Sequence, residues 1–294
     1  MPEWTRSQAK GLFLAPMLAL IVSLCLPLPR HGDAPLISRI PMRVNGPLLV
    51  TAVQRGTNSA SETILAVGPG QASRSLVSNL PAGTGIGASP RGRYIALAEG
   101  ERGLWLVKTN GTGLYRRLLP PSPTQHVYPL TISAVAWSPD HYTLAYVVDE
   151  DLSSATGPGQ PAYAADAHIG VWIARYDGGA ARQVATDTRL GDALFSLSWA
   201  SDGRRIAVVG NGVTQIVDVA TGRAHLGVEG VGAFLPTSPV LAYTGDACDH
   251  SDSNGGNAFC VVNEQGNHQR VVGRDSAQDA SPSNVVWSPD GHTV

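Results

Sequence analysis

The stretch CDHSDSNGGNAFC, residues 248–260, gathers the most chemically versatile side chains of this 294-residue chain. Cys248 and Cys260 flank a Gly-containing loop. They fall on neighbouring strands of one hairpin, at a separation a disulfide can bridge. Two free thiols are the alternative. Asp246, Asp249, Asp252, Asn254 and Asn257 surround them. Oxygen donors at alternating positions suit Ca²⁺, and Asp249, Asp252 and Asn254 form the candidate set. His250 interrupts the acidic pattern, and no Glu follows at the distance a calcium loop needs. A solvated hairpin tip is therefore the favoured reading, and no metal or cofactor is expected.

Other chemistries find little footing. The eight His show neither H-x₃-H nor H-E-x-x-H spacing. No G-x-S-x-G elbow occurs, so no serine-hydrolase machinery is expected in these residues. GTGIGASPRG (83–92) carries a glycine pattern, but it leads into a strand rather than a helix, so it is no dinucleotide fingerprint. The net charge is −2, with no basic footprint for nucleic acid. The segment VVDEDLSSATGPGQPAYAADAH (147–168) is a long insertion bearing Asp149, Glu150, Asp151 and Asp166. A long loop on a rigid scaffold is a partner-binding element, or else a loose surface insertion.

These residues sit on a repeating framework. VAWSPDHYTLAYVV (135–148), LSWASDGRRIAVVG (197–210), GASPRGRYIALAEG (87–100) and VVWSPDGHTV (285–294) share one phrase. An apolar residue precedes a Ser/Pro/Asp/Gly turn, and a β-rich run follows. Trp137, Trp199 and Trp287 hold one place in it, with Asp140, Asp202 and Asp290 in the turn. Ala88 takes the Trp place in the earlier copy, and Phe234 takes it in the degenerate AFLPTSPVLAYTG (233–245). Pro presets φ, Asp bonds its own downstream backbone, and Gly accepts positive φ.

A second unit follows each phrase: LWLVKTNGTGLYRRLL (104–119), VWIARYDGGAARQVA (171–185), TQIVDVATGRAHLG (214–227) and FCVVNEQGNHQRVVG (259–273). Each reads as strand, Gly turn, strand. PLLVTAVQ (47–54) and TILAVGPGQASRSLV (63–77) look like the same halves without the opening turn. Four short strands, repeated about every 40 residues, are the mark of a β-propeller blade. A β-sandwich is the alternative, but it requires no motif in a fixed register. The variation in spacing is expected mainly between the second and third strands. The Trp places are expected to hold wedges between blades.

The W-S-P-D-G phrase, with D-x-x-T/G-G two strands later, resembles the WD-like propeller repeats of the TolB family of bacterial periplasmic proteins. The resemblance covers about 44–294. It implies a propeller and an exported location, and leaves activity open, because fold does not give function. The same repeat occurs in the propellers of prolyl-oligopeptidase-like serine peptidases. The first copy departs from the pattern with ASPRG, and the copy at 233–245 lacks Asp-Gly. An exported compartment would let a Cys248–Cys260 disulfide persist.

The N-terminus differs. Arg6 and Lys10 precede GLFLAPMLALIVSLCLPLP (11–29), an uncharged apolar run. It is long enough for a single helical span and also fits a signal peptide. The alternatives are a membrane anchor or uncleaved signal, a cleaved signal, and lipidation at Cys25. Residues 1–30 are thus a signal or anchor, 31–43 a linker, and 44–294 a propeller of about five blades plus the start of a sixth at Val285, truncated at its C-terminus. The overall expectation is an all-β propeller behind one N-terminal hydrophobic helix. It is a non-enzymatic scaffold of the cell envelope, membrane-anchored or secreted, holding a protein or ligand on one face. The alternative is the propeller portion of a prolyl-oligopeptidase-like hydrolase.

Overall fold

The computed structural model describes residues 21–23, 48–55, 60–67, 73–81, 83–109, 114–118, 130–150, 170–186, 194–245, 258–263 and 269–274. They form five four-stranded sheets, each built from consecutive strands in chain order. Blade 1 contains β1 (Ile21–Ser23), β2 (Leu48–Arg55), β3 (Ala60–Val67) and β4 (Arg74–Pro81). Blade 2 contains β5 (Gly85–Ala88), β6 (Tyr94–Ala98), β7 (Leu104–Lys108) and β8 (Leu114–Leu118). Blade 3 contains β9 (Leu130–Trp137), β10 (Thr143–Glu150), β11 (Gly170–Arg175) and β12 (Arg182–Thr186). Blade 4 contains β13 (Leu194–Trp199), β14 (Arg205–Gly210), β15 (Val213–Asp218) and β16 (Ala224–Glu229). Blade 5 contains β17 (Val231–Phe234), β18 (Val240–Gly245), β19 (Ala258–Asn263) and β20 (Arg270–Arg274).

One register governs blades 2 to 5. Ala88 pairs with Ile95, Trp137 with Leu144, Trp199 with Ile206 and Phe234 with Leu241. In each case the turn phrase lies between the partners. Its ends are closed by the same bond: Ser89 N–H to the Tyr94 carbonyl, Ser138 to Thr143, Ala200 to Arg205 and Leu235 to Val240, at 2.8–2.9 Å.

Sheets covered on both faces read as near-continuous apolar runs rather than as alternation, and that is how YIALA, TLAYVV and RIAVV read. Successive residues serve opposite neighbours. Ile95 and Leu97 of β6 join Ile64, Val77 and Leu80 in the core between blades 1 and 2. Ala96 and Ala98 face the other way, into the core with Ile132, Trp137 and Leu144. Val147, Val171 and Val184 meet Trp199, Ile206 and Val208 between blades 3 and 4. Ile216 and Ala207 meet Phe234, Leu241 and Cys260 between blades 4 and 5.

The first blade departs from the others. Its second, third and fourth strands are β2, β3 and β4, and no turn phrase supplies a first strand. That place is held by β1, which runs parallel to β2 with Ile21 opposite Leu49. A helix was expected over 11–29, but β1 is a strand; β-branched Ile21 and Val22 suit one, and the edge of β2 offers it partners. The rest of the apolar run lies outside the described residues. Among the described residues, no helix is long and apolar enough to cross a membrane.

Candidate functional site

An up-and-down blade places its connections alternately at its two ends. In this chain the two ends differ. First-to-second and third-to-fourth strand connections leave one end, here called the turn face. Apart from 24–47, which joins the parallel pair β1 and β2, they span five or six residues, from 68–73 in blade 1 to 264–269 in blade 5. Second-to-third strand connections, and those passing to the next blade, leave the opposite end. There, 119–129, 151–169, 187–193 and 246–257 interrupt otherwise short links such as 99–103 and 211–212. The variation in length thus lies in the blade-to-blade links as well as between second and third strands. At the strand ends of this loop face stand Glu99, Glu101, Asp149, Glu150 and Glu229 against Arg55, Arg102 and Arg274, an acidic excess of two; the Arg102 guanidinium is 3.9 Å from Glu99.

The turn face is built by short-range hydrogen bonding. Asp140 Oδ1 accepts the Tyr142 and Thr143 N–H groups at 2.8 and 2.9 Å, and Oδ2 accepts the Thr143 hydroxyl at 2.7 Å. Asp202 accepts the Arg204 N–H at 2.8 Å. Asp177 accepts the Gly179 N–H at 3.0 Å. Asp218 accepts both the N–H and the hydroxyl of Thr221 at 2.8 Å. Partial burial pushes the Asp140 carboxyl up, but the bonds from Thr143, Tyr142 and Ser138 together hold it below its ordinary value. The Thr221 bonds, backbone first, hold Asp218 below its ordinary value as well.

A carboxyl with a depressed folded pKa contributes stability above its unfolded pKa and loses it as pH falls through the folded value. Melting temperature should therefore fall as pH drops below about 4. The doubly substituted Asp140→Asn, Asp218→Asn chain should show a shallower acid slope. An unchanged slope would show that these turns do not contribute.

The glycine place of the turn phrase has φ of 63° at Gly92, 70° at Gly203 and 67° at His141. A side chain in this left-handed region costs about 1 kcal/mol. His141 Nδ1 is also buried without a hydrogen-bond partner. His141→Gly should raise the melting temperature by roughly 2–4 °C in a thermal melt, whereas His141→Val should lower it.

The blades are tied to each other by two recurring devices. The Trp137 indole N–H donates to the Gly87 carbonyl at 3.1 Å, and the Trp199 N–H donates to the Ala136 carbonyl at 3.3 Å. Each acceptor sits one residue before the Trp place of the preceding blade. At Phe234, which lacks an indole, the backbone N–H instead donates to Ser198 Oγ at 3.0 Å. At the outer rim, Arg74 donates to the Thr109 carbonyl at 3.4 Å and Arg182 to the Val219 carbonyl at 2.9 Å. Both arginines open a fourth strand, and both acceptors immediately follow a third strand in the next blade. Sequence reading missed this Arg clamp, although an Arg at the start of a fourth strand recurs at 74, 182 and 270.

The residues first singled out are dispersed. Asp246, Asp249, Asp252, Asn254 and Asn257 lie outside the described residues, as do Cys25, Trp287 and Asp290. Among the described residues, no group of three His, Cys, Asp or Glu is placed to hold a metal ion. Cys260 is fully buried in β19, opposite Tyr243, and is disulfide-bonded. The expected partner Cys248 lies outside the described residues. Asp149 and Glu150, read as part of the insertion, belong to β10. Thr131 donates its hydroxyl to the Asp149 carbonyl at 3.4 Å. Glu62 was not anticipated: it is buried in β3, and its Oε1 accepts the Gly83 N–H at 2.8 Å.

The chain is therefore an all-β protein of four-stranded blades with two unlike faces. No protein-family model matches it. No curated protein matches it either. Among solved structures it is similar to a chain of the nidogen/laminin complex, at 15% identity and TM-score 0.45, covering 69% of this chain and 71% of that one. It is similar to a protein assigned as TolB from Agrobacterium tumefaciens, at 14% identity and TM-score 0.45, covering 70% and 66%. It is also similar to a gluconolactonase of Xanthomonas campestris, at 13% identity and TM-score 0.48, covering 74% and 71%. All three are propeller-type folds, and the likeness is one of fold.

Proposed function

We propose that this chain is a non-enzymatic propeller of the cell envelope, exported or membrane-tethered, that holds a protein or ligand on its loop face. The observation that carries this reading is the one-sided distribution of the long connections in blades 2 to 5. Short turns suffice to build a blade, so 119–129, 151–169, 187–193 and 246–257 are surplus to the fold, and all four emerge at one end. Loops placed together on a rigid scaffold are the usual seat of recognition. The acidic rim favours a partner with a basic or polar contact surface. The disulfide at Cys260 supports an oxidising compartment.

The test is to replace 151–169 by the two-residue Asn-Gly link of blade 4 (211–212), and separately to shorten 119–129. Shortened chains should melt within a few degrees of the parent, because the strands they join are unchanged. At least one should lose its cross-linked partner in intact cells. Undiminished capture by both shortened chains would exclude these two connections as the seat of binding and count against the loop face.

A further inference from the structure

We propose that the turn face lies against an anionic phospholipid surface, which sets the loop face outward. This placement rests on the membrane-tethered reading above but concerns the opposite end of the blades. Three observations carry it. First, Arg91, Arg93, Arg204, Arg223 and Arg270 all stand at this end, all are exposed, and none forms an ion pair among the described residues. The neighbouring Asp140, Asp177, Asp202 and Asp218 accept backbone N–H groups of their own turns and stay charged; with Arg74, Arg175 and Arg182 also exposed at this end, arginines outnumber these carboxylates eight to four. On the loop-face rim the balance is reversed, five carboxylates to three arginines.

Second, the turn-face connections of blades 2 to 5 are short, five or six residues each. Third, an aromatic column reaches that surface. Trp137 stacks on Tyr94 at 6.2 Å, Tyr94 meets Tyr176 at 5.8 Å, and Tyr176 meets Tyr142 at 6.2 Å. Tyr142 ends the column 48% exposed, a side chain suited to the headgroup layer. Exposed guanidinium groups bind anionic headgroups, and the opposed acidic face would be repelled by them. An acidic protein would satisfy the charge alone. The exposed aromatic end of the column at Tyr142 favours a bilayer.

The experiment partitions the full chain onto phosphatidylcholine vesicles with and without about 30% phosphatidylglycerol, at low and raised salt. The readout is the ratio between the two vesicle types. Each cation near the surface adds about fivefold, so the ratio should exceed roughly tenfold and collapse in high salt. The Arg91→Glu, Arg93→Glu, Arg204→Glu, Arg223→Glu chain should bring the ratio near one with its melting temperature retained. Glu101→Lys on the loop face should leave the ratio undiminished. On anionic vesicles, hydrogen exchange should slow at 89–93 and 200–204 and not at 99–103. A ratio near one for the parent chain overturns the proposal. So does a ratio insensitive to the four substitutions, slowed exchange confined to 99–103, or saturable binding to polyglutamate or duplex DNA without vesicle preference. Shortening 151–169 should not change the ratio, so this proposal and the loop-face reading fail separately.

Discussion

Trp137→Ala should be among the most damaging single changes in this chain, costing about 3–5 kcal/mol. Trp137 is 7% exposed, lies in the core between blades 2 and 3, and stacks on Tyr94. Truncation removes a large apolar surface and leaves a cavity between two sheets that cannot close without moving both. It also strips the Gly87 carbonyl of its indole donor. Trp137→Phe separates these effects. The ring is largely kept and the hydrogen bond is lost, so the cost should fall to about 1–2 kcal/mol. Gly87 is part of the same fit: a Cβ there would stand 3.3 Å from the indole Cδ1 and 3.2 Å from the Val135 carbonyl oxygen. Chemical denaturation of the three proteins measures the order. Equal losses for Ala and Phe would show that the hydrogen bond, rather than packing, dominates.

The second large effect is expected at Gly222. Two independent demands meet there. Its φ is 66°, and a Cβ would overlap the Val184 carbonyl oxygen of the adjacent blade. The left-handed conformation alone costs a side chain about 1–2 kcal/mol. The overlap is with backbone held in β12 and cannot be relieved by a rotamer change. It lies beside the Arg182 clamp to the Val219 carbonyl, so separating the two strands would break that bond as well. Gly222→Ala should therefore cost roughly 3 kcal/mol or more. Gly212 is the control: its φ is 75°, but a Cβ there meets nothing within 4 Å. Gly212→Ala should cost only the conformational part. Similar melting temperatures for the two variants would show that blades 3 and 4 are not in the contact described.

Much of the fold was legible because a blade repeats its turn chemistry. The phrase around 88, 137, 199 and 234 marks where the first strand ends in each of blades 2 to 5, since Pro, Asp and Gly restrict the backbone locally. What long-range pairing decides was less legible. The composition of DEDLSS gives no hint that β10 runs on to Glu150; its pairing with Leu130 does that. The absent first strand of blade 1 left no local signal, because β1 comes from a distant and differently composed segment. The Arg74 and Arg182 clamps escaped notice because a single Arg at a strand start is ordinary, and its meaning lies in the carbonyl of the next blade. The two-faced character follows from topology once strand order is known, and no motif announces it. The polar loop at 246–257, the most suggestive stretch of sequence, lies outside the described residues, and the reading of the face rests on where the strands on either side of it end.

The most direct test of a propeller that binds through its loop face is site-specific photo-crosslinking in intact cells. A photoreactive residue replaces Glu101 on the loop face or Asp202 on the turn face; both are exposed. Glu101 should yield a discrete protein adduct or a saturable ligand adduct that is absent when 151–169 is shortened, and Asp202 should not. The same adduct at both positions, or one at Asp202 alone, would contradict the assignment of binding to the loop face.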